Sequence, residues 1–140
     1  MKVAIVVERS GIPLGVATDA ANVPETVVGP AAVASIPAGV LLRWGLPLIA
    51  DRAYDSDPLR EHFASRGFTL IAPHRQGRKR PPTNDGRRLR RYKRRWVVER
   101  TFAWLHSYRR VVTRFEKRIE LYDGFVHLAC AFIALNRLVK

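Results

Sequence analysis

The segment from Arg87 to Arg118, RRLRRYKRRWVVERTFAWLHSYRRVVTRFEKR, constrains this chain more than any other. Its periodicity predicts one long helix that bends or ends near Phe115. At 100° per residue, Val97, Val98, Thr101, Trp104, Leu105, Tyr108, Val111 and Val112 share an apolar arc, while Tyr92, Arg95, Glu99 and His106 fall on another strip. Surface helices usually intersperse acids and bases. A strip with one carboxylate, Glu99, in a field of arginines is suited to a polyanion.

The charge of the whole chain is +13, and one stretch accounts for it. Arg75 to Arg118 holds 17 Lys and Arg against three acids, and the remaining residues hold eight against nine. So local an excess favours DNA or RNA over a membrane or a small acidic substrate, because clustered cations release counterions from phosphates. With 140 residues and 47% hydrophobic content, the chain suits a single domain, 1–140, with a buried core. Cys130 is the one cysteine, which excludes an internal disulfide and a cysteine zinc site. His62, His74, His106 and His127 have no HExxH-like spacing. The apolar opening to Val7 is too short for a secretory signal. Phe125 to Leu135 is shorter than a membrane span and reads as a buried core helix. The expectation is a soluble intracellular protein.

Lys2 to Val7 and Ile12 to Ala17, separated by Arg9-Ser10-Gly11, predict a two-stranded hairpin. A loop from Thr18 to Pro24 leads into a helix over Glu25 to Ile36, interrupted by Gly29 and Pro30. Leu46 to Ala50 predicts a buried strand that delivers Asp51 at its C-terminal end, where ligands gather in open α/β sheets. Asp57 as N-cap, Pro58 at the first helical position and Gly67 as stop mark the next helix. Thr69 to Ala72 follows as a strand, then an exposed basic loop from Pro73 to Gly86. A final helix from Leu121 to Val139 closes a mixed α/β layer fold.

Asp51 and Glu99 stand out as candidate chemistry. Mg²⁺ prefers oxygen ligands, and two ions about 3.5–4 Å apart can activate a water and stabilise a leaving oxygen on a phosphodiester. Structural readings stand beside these. Asp51 can accept hydrogen bonds in the turn before Tyr54, and Glu99 can pair with Arg95 one turn back. Asp55 and Asp57 read as turn and cap residues. Trp96 and Trp104 can stack on bases, although Trp104 lies in the apolar arc.

Two stretches resemble the DDE transposases of bacterial insertion sequences, in the IS-four/IS-five superfamily. Ala50 to Arg60, ADRAYDSDPLR, is similar to the family's second-aspartate motif, with Asp51 at the catalytic position. Tyr92, Arg95 and Glu99 match the family's glutamate motif in identity and spacing, and VERTFAWL with Arg100 is also typical. His106 stands where that motif has a lysine. SGIPLGVATDAANVPE and YDGFVHLACAFIALNR extend the similarity over most of the chain.

The resemblance implies an α/β, ribonuclease-H-like fold, a mixed sheet flanked by helices and here lacking its first strand. It implies metal-dependent cleavage of transposon ends and strand transfer, with Asp51 and Glu99 as catalytic metal ligands for Mg²⁺ or Mn²⁺, two ions in the complete enzyme. Tyr92 and Arg95 would position Glu99 or meet phosphate. Arg100, His106, Arg87, Arg88, Arg91 and Lys93 are the further expected contacts to double-stranded DNA. The family's first aspartate has no counterpart here, so the chain is expected to be the C-terminal part of the catalytic domain, binding DNA without cutting it. A bacterial, cytoplasmic and nucleoid-associated location follows, with a homo-oligomer or an N-terminal transposase fragment as partner and no membrane. The alternatives are a non-enzymatic DNA-binding remnant that regulates transposition, and an RNA-binding protein.

Overall fold

The computed structural model describes residues 1–40 and 43–139, which form two compact units. One unit comprises residues 1–40 and 96–140, the other 41–95.

In the first unit, β1 (Lys2–Val7) and β2 (Pro13–Asp19) pair antiparallel, Lys2 opposite Asp19, with an irregularity between Val6 and Val7. The Glu8 carboxylate ties the connecting turn by accepting from the backbone N–H groups of Ser10 and Ile12, at 2.7 and 3.1 Å. Gly11, at φ +92°, supplies the left-handed residue that closes it. Helix α1 (Glu25–Ala34) follows. Gly29 and Pro30 do not interrupt it, because Val28, Gly29, Ala32 and Val33 are buried on one side and packing outweighs propensity. Gly15 of β2 lies so close to the carbonyl of Ala32 that no side chain fits there.

Three further helices complete this unit: α4 (Trp96–Leu105), α5 (Arg109–Val112) and α6 (Ile119–Leu138). Their core gathers Val16, Leu105, Val111, Tyr122, Val126, Ala129, Cys130 and Ile133. Burial pushes the Cys130 thiol up to about 11, so it behaves as a small apolar group. The reading of the last helix as simply buried is corrected. With 20 residues and a mean hydropathy of 1.3, α6 is long and apolar enough to cross a membrane, yet only one of its faces lies in the core.

The second unit is a strand–helix–strand crossover. β3 (Leu46–Ile49) and β4 (Phe68–Ile71) pair parallel, joined through α2 (Asp57–Ala64). Phe63, Phe68, Leu70, Ile71 and Ala72 form the interior. β3 is only partly buried and exposes Pro47, which suits a strand with a neighbour on one side. Ser56, not Asp57, is the N-cap of α2, with Asp57 in the first turn and Pro58 beside it. Gly67, at φ +84°, reverses the chain before β4. The hydrogen-bonded ladders among the described residues are thus two two-stranded sheets, not one mixed sheet.

The single long basic helix is also corrected. Helix α3 covers Gly86–Leu89, Arg90–Arg95 winds as 3₁₀ turns, and α4 begins at Trp96. Five of the six residues in RRYKRR are cations, and neighbours three and four apart on an α-helix would repel. At the other end, α4 stops at Leu105. The Ser107 hydroxyl donates to the carbonyl of Trp104 at 2.7 Å, and Tyr108 turns extended at φ −91°, ψ 106°.

Candidate active site

Asp51 lies two residues past β3 and caps the 3₁₀ turn Arg52–Tyr54, accepting from the backbone N–H of Arg52 at 2.6 Å. Its side chain remains 41% exposed. The 3₁₀ turns at Arg90–Arg95 bring a second motif to it. A 3₁₀ helix repeats every three residues, so Tyr92 and Arg95 project from one face. The Tyr92 hydroxyl stands 3.5 Å from Asp51 Oδ1, and Arg95 Nη1 stands 3.3 Å from the same atom. Arg95 also donates to the Tyr92 hydroxyl at 2.8 Å, with its guanidinium 5.9 Å from the ring centre. The acid of one sequence motif is therefore flanked by two residues of the other.

The glutamate motif straddles the two units, with Tyr92 and Arg95 in the second and Glu99 in the first. Glu99 is exposed on α4, on the side away from buried Val97, Thr101 and Leu105. Arg100 is engaged within the first unit. It donates to the carbonyl of Ser10 at 2.6 Å, and its guanidinium lies 4.8 Å from the Trp96 ring and 4.9 Å from the Trp104 ring. Thr101 donates to the carbonyl of Gly11 at 2.8 Å, so these neighbours anchor the β1–β2 turn to α4. His106 is exposed just beyond α4, and Arg87, Arg88, Arg91 and Lys93 are all exposed.

Sequence reasoning missed a third cluster. Asp55 is buried at 4% exposure and is not a mere turn residue. It accepts from Arg60 at 2.5 Å, from Arg78 at 2.8 Å and from the backbone N–H of Arg75 at 2.9 Å, with His74 Nδ1 3.4 Å away. Burial opposes its ionisation, but the Arg75 amide and the two guanidinium groups outweigh that and hold its carboxyl below the usual range. Asp57 pairs with Arg78 and Arg80, chiefly Arg78, which lowers its carboxyl likewise. A pocket of about 500 Å³ opens here, lined by Asp55, Asp57, Pro58, Arg75, Gln76 and Arg78 among others. The segment from Pro73 to Gly86 is accordingly not a plain exposed loop. Arg78 is 14% exposed, and buried Asn84 donates to the carbonyl of Ala72 at 2.9 Å. The partners of Asp55 lie up to 23 residues away, so no local pattern signals the cluster.

A divalent cation of the Mg²⁺ type needs several oxygen ligands. Among the described residues, no three His, Cys, Asp or Glu side chains stand together in a way that could hold a metal ion. Asp51 offers one carboxylate with a guanidinium already beside it. Among the described residues, Asp51 by itself does not make a complete ion site.

Residues 1–134 match the family model for the transposase DDE domain. A protein of Burkholderia cepacia, named as transposase for insertion sequence element IS402, is 37% identical over 140 residues, covering 96% of this chain and 62% of that protein. One of Brucella ovis, named as transposase for insertion sequence element IS6501, is 43% identical over 90 residues, covering 64% of this chain and 67% of that protein. No solved structure matches the chain. This chain thus spans about three fifths of the length of its Burkholderia relative. The family match extends over both units and both motifs, and the chain belongs to the transposase DDE domain family.

Proposed function

We propose that these residues are the part of an insertion-sequence transposase, of the IS-four/IS-five type, that carries Asp51 and Glu99 as catalytic acids and a basic surface for duplex DNA. The observation that carries this reading is the meeting of Tyr92 and Arg95 with Asp51, which joins the two motifs around one exposed carboxylate. Arg95 and Tyr92 orient Asp51 through Oδ1. Arg87, Arg88, Arg91 and Lys93, all exposed, hold the phosphate backbone. A ribonuclease-H-like arrangement and divalent-ion chemistry, with Mg²⁺ or Mn²⁺, belong to this reading. Asp51 and Glu99 are two of the acids such chemistry requires, and a further acid comes from outside residues 1–140. Taken alone, these residues bind DNA and do not cut it. The assembled enzyme pairs them with a like chain or a complementary transposase segment.

The test uses the purified 140-residue chain. Duplex DNA binding is expected to weaken with salt, the slope of log K falling by about 0.9 for each of Arg87→Gln and Lys93→Gln. No cleavage is expected with Mg²⁺ or Mn²⁺ until the segment of the Burkholderia cepacia relative that lies outside the match is added in trans. Asp51→Ala and Glu99→Ala should each remove the restored cleavage while leaving binding in place. Cleavage by the chain alone that survives Asp51→Ala would overturn the assignment of that acid. A DNA-binding regulator without catalysis is the second reading, favoured by the incomplete donor set, and it predicts no restoration in trans. RNA outcompeting duplex DNA at equal salt would point instead to an RNA-binding protein.

A further inference from the structure

Residues 109–118, RRVVTRFEKR, hold five cations against one acid, and the DNA surface proposed above uses none of them. Between α5 and α6 they form a loop that is tied down from within. Arg114 reaches forward along it, donating from Nε to the carbonyl of Glu116 and from Nη2 to the carbonyl of Lys117, both at 2.8 Å. The Glu116 side chain folds inward to 6% exposure, where its carboxylate accepts from Arg110 at 2.8 Å and from the backbone N–H of Phe115 at 3.2 Å. Arg110 is fixed in turn beside two rings, its guanidinium 5.5 Å from the centre of Phe115 and 5.4 Å from that of Phe125.

What this loop presents is Phe115, at 55% exposure. Arg109 lies 5.8 Å from the centre of its ring, and Lys117 and Arg118 are exposed just beyond it. The bonds that tie the loop run to backbone groups and to Glu116, so none of them requires a phenyl ring at its tip. The cations around the ring decide what can cover it. An apolar protein surface would take several charged groups out of water without pairing them, which is costly. A nucleic acid supplies, in one ligand, phosphates for the cations and a flat base face for the ring. The bases of a duplex are already stacked. A lone ring flanked by cations therefore reaches a base face only by entering a step between two pairs, as apolar wedges do from the minor groove, partly unstacking the step and bending the helix.

We infer that Phe115 is a wedge for duplex DNA: its ring enters one base step and bends the duplex there, while Arg109, Lys117 and Arg118 hold the phosphates beside it. The inference rests on the duplex-binding part of the proposed function and adds a contact outside Arg87, Arg88, Arg91 and Lys93. It uses neither a divalent ion nor a catalytic acid, so it stands or fails apart from the cleavage reading.

The test is binding of the 140-residue chain, without divalent ions, to a duplex of about 20 base pairs with a dye at each end. Energy transfer between the dyes should rise on binding, as the duplex bends by ~20–90°. A mismatched pair at the centre makes a step easier to open, so the parent chain should bind that duplex about tenfold tighter than the fully paired one. Phe115→Ala should lose both the rise and the preference while keeping the salt slope, since no cation is removed. If that variant does not fold, Phe115→Lys takes its place: it should steepen the salt slope and still lose the bend. A parent chain that binds without bending or without preference, or a bend that persists in the variants, would overturn the wedge and leave duplex binding intact. A parent chain that binds no duplex would sink both. Adsorption to phosphatidylserine vesicles that depends on Phe115, with no bending of DNA, would overturn the wedge in favour of a membrane surface.

Discussion

Asp51 and Asp55 are four residues apart in one short stretch, and their surroundings are opposite. Asp51 is exposed and touched loosely by Tyr92 and Arg95 at 3.5 and 3.3 Å. Asp55 is buried, held by two guanidinium groups and a backbone amide. A carboxylate that accepts that many donors in a dry site is committed to holding its segment together. One that keeps open oxygen surface can take a ligand. The difference separates an acid committed to structure from an acid left open to a ligand.

The sharpest way to break the comparison is Asp55→Ala. It removes the buried carboxylate that Arg60, Arg78 and the Arg75 amide share and should cost about 3–5 kcal/mol of stability. Urea denaturation measures it, and a loss under 1 kcal/mol would show that the cluster is not structural. Arg78→Ala removes the group joining Asp55 to Asp57 and should lower the urea midpoint by less than Asp55→Ala does, because Arg60 and the Arg75 amide still hold Asp55.

Acid sharpens the contrast further. The folded Asp55 carboxyl lies below its ordinary value, so its stabilisation is present above the unfolded pKa of about 3.9 and is lost as pH falls through the lower folded value. Asp57, Glu8 and Glu116 are also lowered and add to the slope. Stability should be flat from neutral pH to about pH 5 and decline below about pH 4. Asp55→Asn should flatten part of that decline, and an unchanged slope would assign it to the other acids. The smallest effect is expected at Asp51: Asp51→Asn should shift stability by less than about 0.5 kcal/mol, as for an exposed site. A large loss there would make Asp51 structural too.

How much was legible follows from the range of each interaction. The hairpin, the strand–helix–strand crossover and α6 could be read from the sequence because alternation, capping residues and apolar runs act between near neighbours. The family was also legible, since the motifs around Asp51 and Glu99 are contiguous, and the comparisons bear it out. The break at Arg90–Arg95 was missed because charge repulsion along RRYKRR competes with a helical pattern that looks continuous on a wheel. The Asp55 cluster was missed because two of its three donors, Arg75 and Arg78, come from another loop.

The sequence by itself determined the hairpin, the strands and helix of the crossover, α6, the basic stretch and the two acids worth testing, since each depends on residue type and short spacing. Tertiary structure alone decided which aspartate is buried, which two motif residues attend Asp51, and which face of α6 enters its unit's core. Each of these depends on what folding brings alongside from distant parts of the chain, where desolvation and pairing are set by neighbours in space.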